Sequence, residues 1–259
     1  MKEIALVLSS EGARGLAHIG VIEELESHGY KIKSVAGTSM GALVGGMYAA
    51  GKLDEVKDWI ISLSNRQKVS YIDLALSFSH LVKGDKIIKA FKKIVPDVNI
   101  EDLPIPYCAV ATDFATGKEV VFNKGSLYEA IRASISIPLF FRPICTDNSV
   151  LVDGGIVNPL PLNRVLRTEG DVLVSSNVNG GFSGSFVDGN NSPHNPNYIW
   201  LAKKTVMLMI HQNSVLTSHI YRPDISIDIP SDCFGGFEYD KVEEIIEYGR
   251  LACRTKIGG

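Results

Sequence analysis

Short apolar runs alternate with longer helical patterns along most of the chain. Each run is a few residues long, rich in β-branched residues and bounded by glycine or polar residues, which is typical of β-strands. Several runs are apolar at nearly every position, as in strands that are covered on both faces. The predicted strands are Ile4 to Leu8, Ile32 to Ala36, Tyr107 to Ala111, Glu119 to Phe122, Val150 to Val152, Val172 to Ser176 and Ile225 to Ile229.

The stretches between these runs have helical periodicity. Gly29 and Gly51 directly follow two of them, in the position of a C-terminal helix cap. Strands that alternate with helices predict an α/β fold, a three-layer sandwich with a mainly parallel central sheet. The predicted helices are Leu16 to His28, Ala42 to Ala50, Leu53 to Ser64, Lys86 to Ile94, Leu127 to Ala133, Leu162 to Arg167, Tyr198 to Ile220 and Lys241 to Lys256.

Length and composition favour one domain. With 259 residues and 45% hydrophobic content, the chain can bury a full core, so a single domain is predicted over residues 1–259. The one long segment of loop composition is Gly180 to Asn197, which we expect to be a flexible loop.

The charge pattern excludes some partners. A net charge of −3 without long like-charge runs gives no basic field for a nucleic-acid backbone, so no nucleic acid is expected to bind. No window offers the roughly 18 apolar residues of a membrane span, and no secretory signal pattern is seen, so we expect a cytoplasmic protein. The cysteines are far apart in apolar surroundings and are expected to be reduced core thiols, at Cys108, Cys145, Cys233 and Cys253.

The segment "VAGTSMGALVGGMYAAG" carries the clearest chemical motif. Gly37, Ser39 and Gly41 form G-x-S-x-G directly after a predicted strand and before a predicted helix, which is the setting of a nucleophile elbow. The two glycines allow strand and helix to approach each other closely. The alternative is a tight strand-to-helix turn with a serine helix cap.

A serine nucleophile needs a base. The six histidines, His18, His28, His80, His194, His211 and His219, show no telling local pattern. Asp153 is better placed, because it ends an apolar strand in "LVDGGIVNPLP" and is followed by Gly154 and Gly155. An Asp-Gly-Gly sequence alone is also ordinary turn chemistry.

Several segments together resemble the patatin-like phospholipases. A glycine-rich loop after the first strand, G-T-S-M-G, "ASISIPLFFRP" and D-G-G occur in the family's order. "GARGLAHIGVIEEL" and "ATDFATGKEVVF" are also similar to bacterial members. The resemblance covers about the first two thirds of the chain and implies the patatin-like variant of the α/β-hydrolase theme.

The resemblance implies a lipid acyl hydrolase with a Ser-Asp dyad. The family's serine matches Ser39 and its aspartate matches Asp153. Burial beside the elbow is expected to raise the pKa of the Asp153 carboxyl. The resemblance further implies an oxyanion hole in the glycine-rich loop, at Glu11, Gly12 and Arg14. It implies no cofactor and no metal, and a lipid or acyl-ester substrate met by transient contact at the inner face of the membrane. No basic amphipathic helix stands out to dock the protein there.

The loop "SSEGARG" departs from the family's usual G-G-G-x-R-G. If the loop needs a positive φ at Glu11, a non-glycine residue costs about 1 to 2 kcal/mol there. A carboxylate about 6 Å from the oxyanion, at an effective dielectric of about 20, would repel it by roughly 3 kcal/mol, or about a hundredfold in rate. Pairing with Arg14 would reduce that effect. The alternative function is therefore a weakly active or inactive patatin-like protein that binds lipid or regulates a partner.

Other classes of site fit less well. Ser10 replaces the first glycine of a dinucleotide-binding G-x-G-x-x-G, and "GMYAAGKL" ends a helix where a phosphate-binding loop would open one. There is no H-E-x-x-H sequence and no cluster of Cys and His for a metal. Apolar residues that could line an acyl groove, or simply belong to the core, are Phe78, Leu81, Leu139, Phe140 and Phe141.

Overall fold

The structure is a computed structural model that describes residues 2–63, 85–138, 141–181, 198–236 and 238–258. Its strands are β1 Lys2–Leu8, β2 Tyr30–Thr38, β3 Tyr107–Asp113, β4 Lys118–Phe122, β5 Ile144–Cys145, β6 Val150–Asp153, β7 Val172–Gly180 and β8 Ile225–Pro230. Its α-helices are α1 Ala17–Ser27, α2 Met40–Ala49, α3 Leu53–Ser62, α4 Asp85–Ile94, α5 Leu127–Ser134, α6 Tyr198–Tyr221 and α7 Val242–Ile257.

The strands form one mixed, mostly parallel sheet in the order β5-β6-β3-β2-β1-β7-β8, and β4 pairs with β3 outside that path. β1 lies parallel to β2 and β7, β2 parallel to β3, and β7 parallel to β8. The antiparallel pairs are β3 with β4, β3 with β6 and β5 with β6. The predicted three-layer α/β sandwich with a mainly parallel sheet is confirmed.

Alternate residues of β1 point to the two faces of the sheet. Ile4, Leu6 and Leu8 join the larger apolar core, which α1, α2, α5 and α7 cover. Ala5 and Val7 join a smaller cluster on the opposite face. Because both faces are buried there, the strand is apolar from Ile4 to Leu8, which is the pattern that made it recognisable.

The predicted helix from Leu162 to Arg167 is wrong, because this segment forms turns. Leu162 and Val165 are buried in the smaller apolar cluster. Arg164 forms an ion pair with Glu119, and Arg167 forms one with Asp171. Tertiary contacts thus override a pattern that is only six residues long.

The register of β3 brings two strand ends together. β2 pairs with β3 up to Thr38, opposite Val110, and β6 ends at Asp153, opposite Ala111. β4 also pairs with β3 at these positions, so it occupies the other edge, and β2 and β6 share one edge. Because β2 runs parallel and β6 antiparallel to β3, their carboxyl ends meet at neighbouring residues of β3.

Candidate active site

Ser39 sits in a sharp turn between β2 and α2. Its φ of 55° is rare for a residue with a side chain. A Cβ on Gly37 would lie 2.3 Å from the Gly41 carbonyl oxygen, and one on Gly41 would lie 2.4 Å from the Leu8 carbonyl oxygen. Both glycines are therefore required for the close approach of strand and helix.

Ser39 and Asp153 are in direct contact, although 114 positions separate them in the sequence. Ser39 Oγ donates a hydrogen bond of 2.5 Å to Asp153 Oδ2. The other carboxylate oxygen, Oδ1, accepts the N–H of Gly155 at 2.7 Å. The two residues are only 3% and 5% exposed, so the pair is shielded from bulk water.

Burial changes the acidity of Asp153. It raises the pKa of this carboxyl from 3.8 to about 7, because the charged form loses its hydration. The Glu11 carboxylate also raises the pKa, while hydrogen bonds from Ser39 and Gly155 lower it. A carboxylate of this pKa accepts a proton near neutral pH far better than an ordinary aspartate does.

Ser134, at the end of α5, supports the strained turn. Its hydroxyl oxygen accepts the backbone N–H of Ser39 at 2.8 Å and donates to the Val110 carbonyl oxygen at 2.6 Å. Ser136 supports the other partner, since its carbonyl oxygen accepts the backbone N–H of Asp153 at 3.0 Å. Both serines belong to the "ASISIP" segment, which carried the family resemblance but gave no local signal of these contacts.

The glycine-rich loop of residues 9–15 lies beside this pair. A Cβ on Gly155 would lie 2.9 Å from Ser10 Oγ, and one on Gly41 would lie 2.6 Å from the Ser9 carbonyl oxygen. The loop therefore contacts both the Asp-Gly-Gly turn and the start of α2. A Cβ on Gly154 would meet the Val110 carbonyl oxygen at 2.2 Å, which accounts for glycine at that position.

Two backbone donors of this loop remain available. Ser10 N–H donates to the Pro159 carbonyl oxygen at 2.8 Å. Within the described part of the chain, the N–H groups of Glu11 and Gly12 have no hydrogen-bond acceptor. A ligand oxygen beside the loop could therefore accept from them.

Glu11 adopts a φ of 146°, a backbone conformation that favours glycine. Its carboxylate lies 3.5 Å from Arg14 Nη2, and its side chain is 11% exposed. The Gly236 backbone lies on its other side, where an added Cβ would come within 2.9 Å of Glu11 Oε1. The carboxylate is thus paired with a cation and is not turned to bulk solvent.

Arg14 is buried and anchors the glycine-rich loop. Its side chain is 1% exposed. Its guanidinium donates to the Val178 carbonyl oxygen at 3.0 Å, to that of Ser231 at 2.6 Å and to that of Phe234 at 2.8 Å. It therefore ties the glycine-rich loop to the end of β7 and to the segment after β8.

The described histidines are not partners of Ser39. His18 is buried between Ser176 Oγ, 2.7 Å from Nδ1, and the Ser9 carbonyl oxygen, 3.0 Å from Nε2, and burial lowers its pKa to about 4. Among the described residues, the Ser39 hydroxyl donates to Asp153 and to no histidine. His80 and His194 lie outside the described residues.

Other predicted features have mixed outcomes. Four of the five residues suggested for an acyl groove, Phe78, Leu81, Leu139 and Phe140, lie outside the described residues, and Phe141 is partly buried. Most of the predicted loop, residues 182–197, is also outside them. Cys145 is exposed, so it is not a core thiol as expected. Within the described ranges, no helix has both the length and the apolar character that a membrane span requires.

The chain belongs to the patatin-like phospholipase family, because the family model described as "Patatin-like phospholipase" matches residues 6–166, more than half of its length. This membership supports lipid hydrolase activity at the level of the family. The elbow, the Asp-Gly-Gly turn and the glycine-rich loop all fall within the matched residues.

Named relatives agree with this family. "Uncharacterized NTE family protein Rv1063c" from Mycobacterium tuberculosis is 47% identical over 181 residues, 70% of this chain and 50% of that protein. Human "Patatin-like phospholipase domain-containing protein 6" is 34% identical over 165 residues, 61% of this chain and 12% of that protein. The chain thus spans about half the length of the mycobacterial relative. Among solved structures, VipD from Legionella pneumophila aligns with a TM-score of 0.48 and 14% identity, over 98% of this chain and 67% of that one.

Proposed function

We propose that the protein is a serine lipid acyl hydrolase that cleaves carboxylic esters through a Ser39–Asp153 dyad and an acyl-enzyme. The observation that carries the proposal is the 2.5 Å hydrogen bond from Ser39 Oγ to Asp153 Oδ2 at a strained strand-to-helix turn. In the proposed reaction, Asp153 removes the proton from Ser39 Oγ as that oxygen attacks the ester carbonyl carbon.

The remaining steps need only these groups and water. The tetrahedral intermediate collapses, the bond to the leaving alcohol breaks, and Asp153 returns the proton to the alcohol oxygen. Water then attacks the acyl-enzyme while Asp153 accepts its proton, and the carboxylic acid leaves as Ser39 regains its hydrogen. The pKa of about 7 suits Asp153 to both directions of transfer at neutral pH. No cofactor enters this scheme.

We assign the oxyanion contacts to the glycine-rich loop. The N–H groups of Glu11 and Gly12, which have no acceptor among the described residues, are the proposed donors. Arg14 is a positioning residue, since its guanidinium holds the loop through carbonyl oxygens and does not itself need to touch the substrate. Its position beside Glu11 offsets the negative charge that Glu11 brings near the oxyanion.

The substrate class is proposed from the family. A relative from Drosophila persimilis, 33% identical over 165 residues, is named "Neuropathy target esterase sws", and the family model is that of a phospholipase. Together with the buried dyad, these names favour an acyl ester of a phospholipid or related lipid. The name describes that relative, and for this chain the substrate class is a proposal.

A fluorophosphonate probe tests the proposed activity. We expect wild-type protein to be labelled at Ser39, and both Ser39→Ala and Asp153→Ala to lose labelling and ester hydrolysis. Ser214→Ala is a matched control, because Ser214 is also a fully buried serine but lies on α6, and it should label as the wild type does. Hydrolysis that survives in Asp153→Ala and is lost in Ser39→Ala would point to a different base.

The second candidate is a lipid-binding or regulatory protein with little or no turnover. Glu11 favours it, because a carboxylate and a positive φ stand where the family usually has glycine. This candidate predicts an unlabelled wild-type protein that still binds lipid.

A further inference from the structure

Strand β7 runs alongside the glycine-rich loop, and Asn179, near the end of the strand, reaches Ser10. The Asn179 side chain donates from Nδ2 to the Ser10 carbonyl oxygen at 2.7 Å. Asn179 is only 2% exposed, so bulk water does not compete for this hydrogen bond. The family model matches residues 6–166, so this contact to the loop comes from a part of the chain that the family motifs do not include.

The backbone of Asn179 is itself held in place. Its N–H donates to Asn177 Oδ1 at 3.1 Å, and its carbonyl oxygen lies 2.7 Å from His211 Nδ1 on α6. One position earlier on the strand, the Val178 N–H donates to Ser9 Oγ at 2.9 Å. Asn179 therefore holds the glycine-rich loop from a backbone that is hydrogen-bonded on both sides.

The hydrogen bond to Ser10 fixes the direction of the next N–H group. The Ser10 carbonyl and the Glu11 N–H belong to one peptide group, and in a trans peptide these two groups point in opposite directions. In the described part of the chain, no peptide bond is cis. Because Asn179 holds the carbonyl on the side of β7, the Glu11 N–H points away from β7. The strand order β2-β1-β7 places β2, which Ser39 follows, on that other side.

The neighbouring N–H group is oriented in the same way. The Gly12 N–H shares a peptide group with the Glu11 carbonyl, whose oxygen accepts the Gly15 N–H at 2.9 Å. The peptide group before Ser10 offers no free donor, because the Ser10 N–H donates to the Pro159 carbonyl oxygen at 2.8 Å. Glu11 and Gly12 thus each combine an N–H group that has no acceptor among the described residues with a carbonyl that is held.

We propose that Asn179 is a positioning residue, which holds the Ser10–Glu11 peptide group so that the Glu11 N–H can donate to the oxyanion. The inference rests on the proposed function, because an oxyanion forms only if Ser39 attacks an ester. A rotated peptide group would turn a carbonyl oxygen towards the developing negative charge and would remove one donor from it. Asn179 acts through the backbone and does not touch the substrate.

Asn179→Asp tests this role with little change in the shape of the side chain. A carboxylate resembles the amide in shape but has no N–H to donate, so it repels the Ser10 carbonyl oxygen. We expect kcat for a soluble chromogenic ester to fall by about a hundredfold and KM to change by less than about twofold, since the lost contact is made in the transition state. kcat is measured well above the Asp153 pKa of about 7, so that a change in this pKa does not affect the comparison.

Asn179→Ala is a second variant that adds no charge. It removes the donor without repelling the Ser10 carbonyl oxygen, so kcat should fall by a smaller factor, on the order of tenfold, again with little change in KM. Fluorophosphonate labelling of Ser39 should slow in both variants, and more in Asn179→Asp. Thermal melts show which variants are folded, and Asn179→Ala decides the test if Asn179→Asp does not fold.

Asn213→Asp is the matched control. Asn213 Nδ2 also donates to a backbone carbonyl oxygen, that of Ile156 at 3.3 Å, and the substitution adds the same charge near the Asp-Gly-Gly turn. The Ile156 carbonyl shares its peptide group with the Val157 N–H, which donates to the Gly154 carbonyl oxygen at 3.1 Å. This peptide group therefore orients no free donor, and the variant should keep the wild-type kcat and KM.

Each failure gives a different result. Wild-type kcat in the folded Asn179 variants, or an equal loss of kcat in Asn213→Asp, would overturn the role of Asn179 and leave the proposed hydrolysis intact. A raised KM with an unchanged kcat would also overturn that role, because the contact would then serve substrate binding. A wild-type protein that is not labelled at Ser39 and hydrolyses no ester would overturn the proposed function, and with it the role of Asn179.

Discussion

At the scale of single residues, Glu11 places a carboxylate and a positive φ in the glycine-rich loop. The Glu11 carboxylate raises the pKa of Asp153, so its charge acts on the proposed base even though it is paired with Arg14. We expect Glu11→Gln and Glu11→Gly both to move the acidic limb of the kcat/KM profile to lower pH. The measurement is kcat/KM as a function of pH, with a soluble chromogenic ester as substrate.

The two variants also separate charge from backbone strain. Only glycine relieves the φ of 146°, so Glu11→Gly should be more stable than Glu11→Gln by about 1 kcal/mol in the free energy of unfolding. If the acidic limb of the kcat/KM profile is unchanged in both variants, the Glu11 carboxylate does not influence the reaction.

Asp153 gives a pH dependence with a defined sign. As the proposed base it must be ionised, so kcat/KM should rise with pH through about 7. A limb near pH 4 would instead mean that the carboxyl is not desolvated in the working enzyme.

The same shift predicts an effect on stability. The folded state holds Asp153 at a pKa above its unfolded value, so the protonated form is favoured and stability falls as pH rises from about 4 to about 7. Asp153→Asn should therefore stabilise the protein more at pH 8 than at pH 4, by up to about 4 kcal/mol. Chemical denaturation at the two pH values measures it, and an equal effect at both would contradict a raised pKa.

Ser134 illustrates what residue patterns could not predict. The motif context identified Ser39 and Asp153 as candidates, but a serine that accepts the Ser39 N–H is specified by the fold, because α5 brings it there from 95 positions away. Ser134→Ala should reduce the free energy of unfolding by about 1 to 3 kcal/mol and slow fluorophosphonate labelling. Ser134→Cys, which keeps a weak acceptor, should recover part of the rate.

At the scale of elements, the strands β2 and β6 bring the candidate dyad together. The apolar runs predicted both strands, yet nothing in the sequence predicted that they share one edge of β3 and meet end to end. Strand pairing is a long-range property, whereas periodicity reports only which faces are buried. The same limit explains the wrong helix at Leu162 to Arg167 and the failure to anticipate the exposed apolar side chains of α6.

The meeting point of these strands has no room for a side chain. Gly154→Ala would place a Cβ 2.2 Å from the Val110 carbonyl oxygen, so β6 must shift. We expect a loss of about 1 to 3 kcal/mol in the free energy of unfolding and loss of activity. Gly181→Ala, with nothing within 4 Å of its Cβ, is the control. Wild-type activity in Gly154→Ala would show that the site tolerates displacement of Asp153.

At the scale of the whole molecule, the family and the α/β sandwich were predictable because separate motifs occur in a fixed order. That residues 1–259 form one domain stays a prediction. The chain spans about half of its mycobacterial relative, so the activity and partners of the whole protein are proposals.

The central claim is that Ser39 forms an acyl-enzyme with Asp153 as its base. Rapid acid quenching during turnover of a slowly hydrolysed acyl ester, followed by peptide mass spectrometry, tests it most directly. We predict an acyl adduct on the peptide that contains Ser39 in the wild type, and none in Ser39→Ala or Asp153→Ala. An adduct on another residue, or one that forms at the wild-type rate in Asp153→Ala, would contradict the claim.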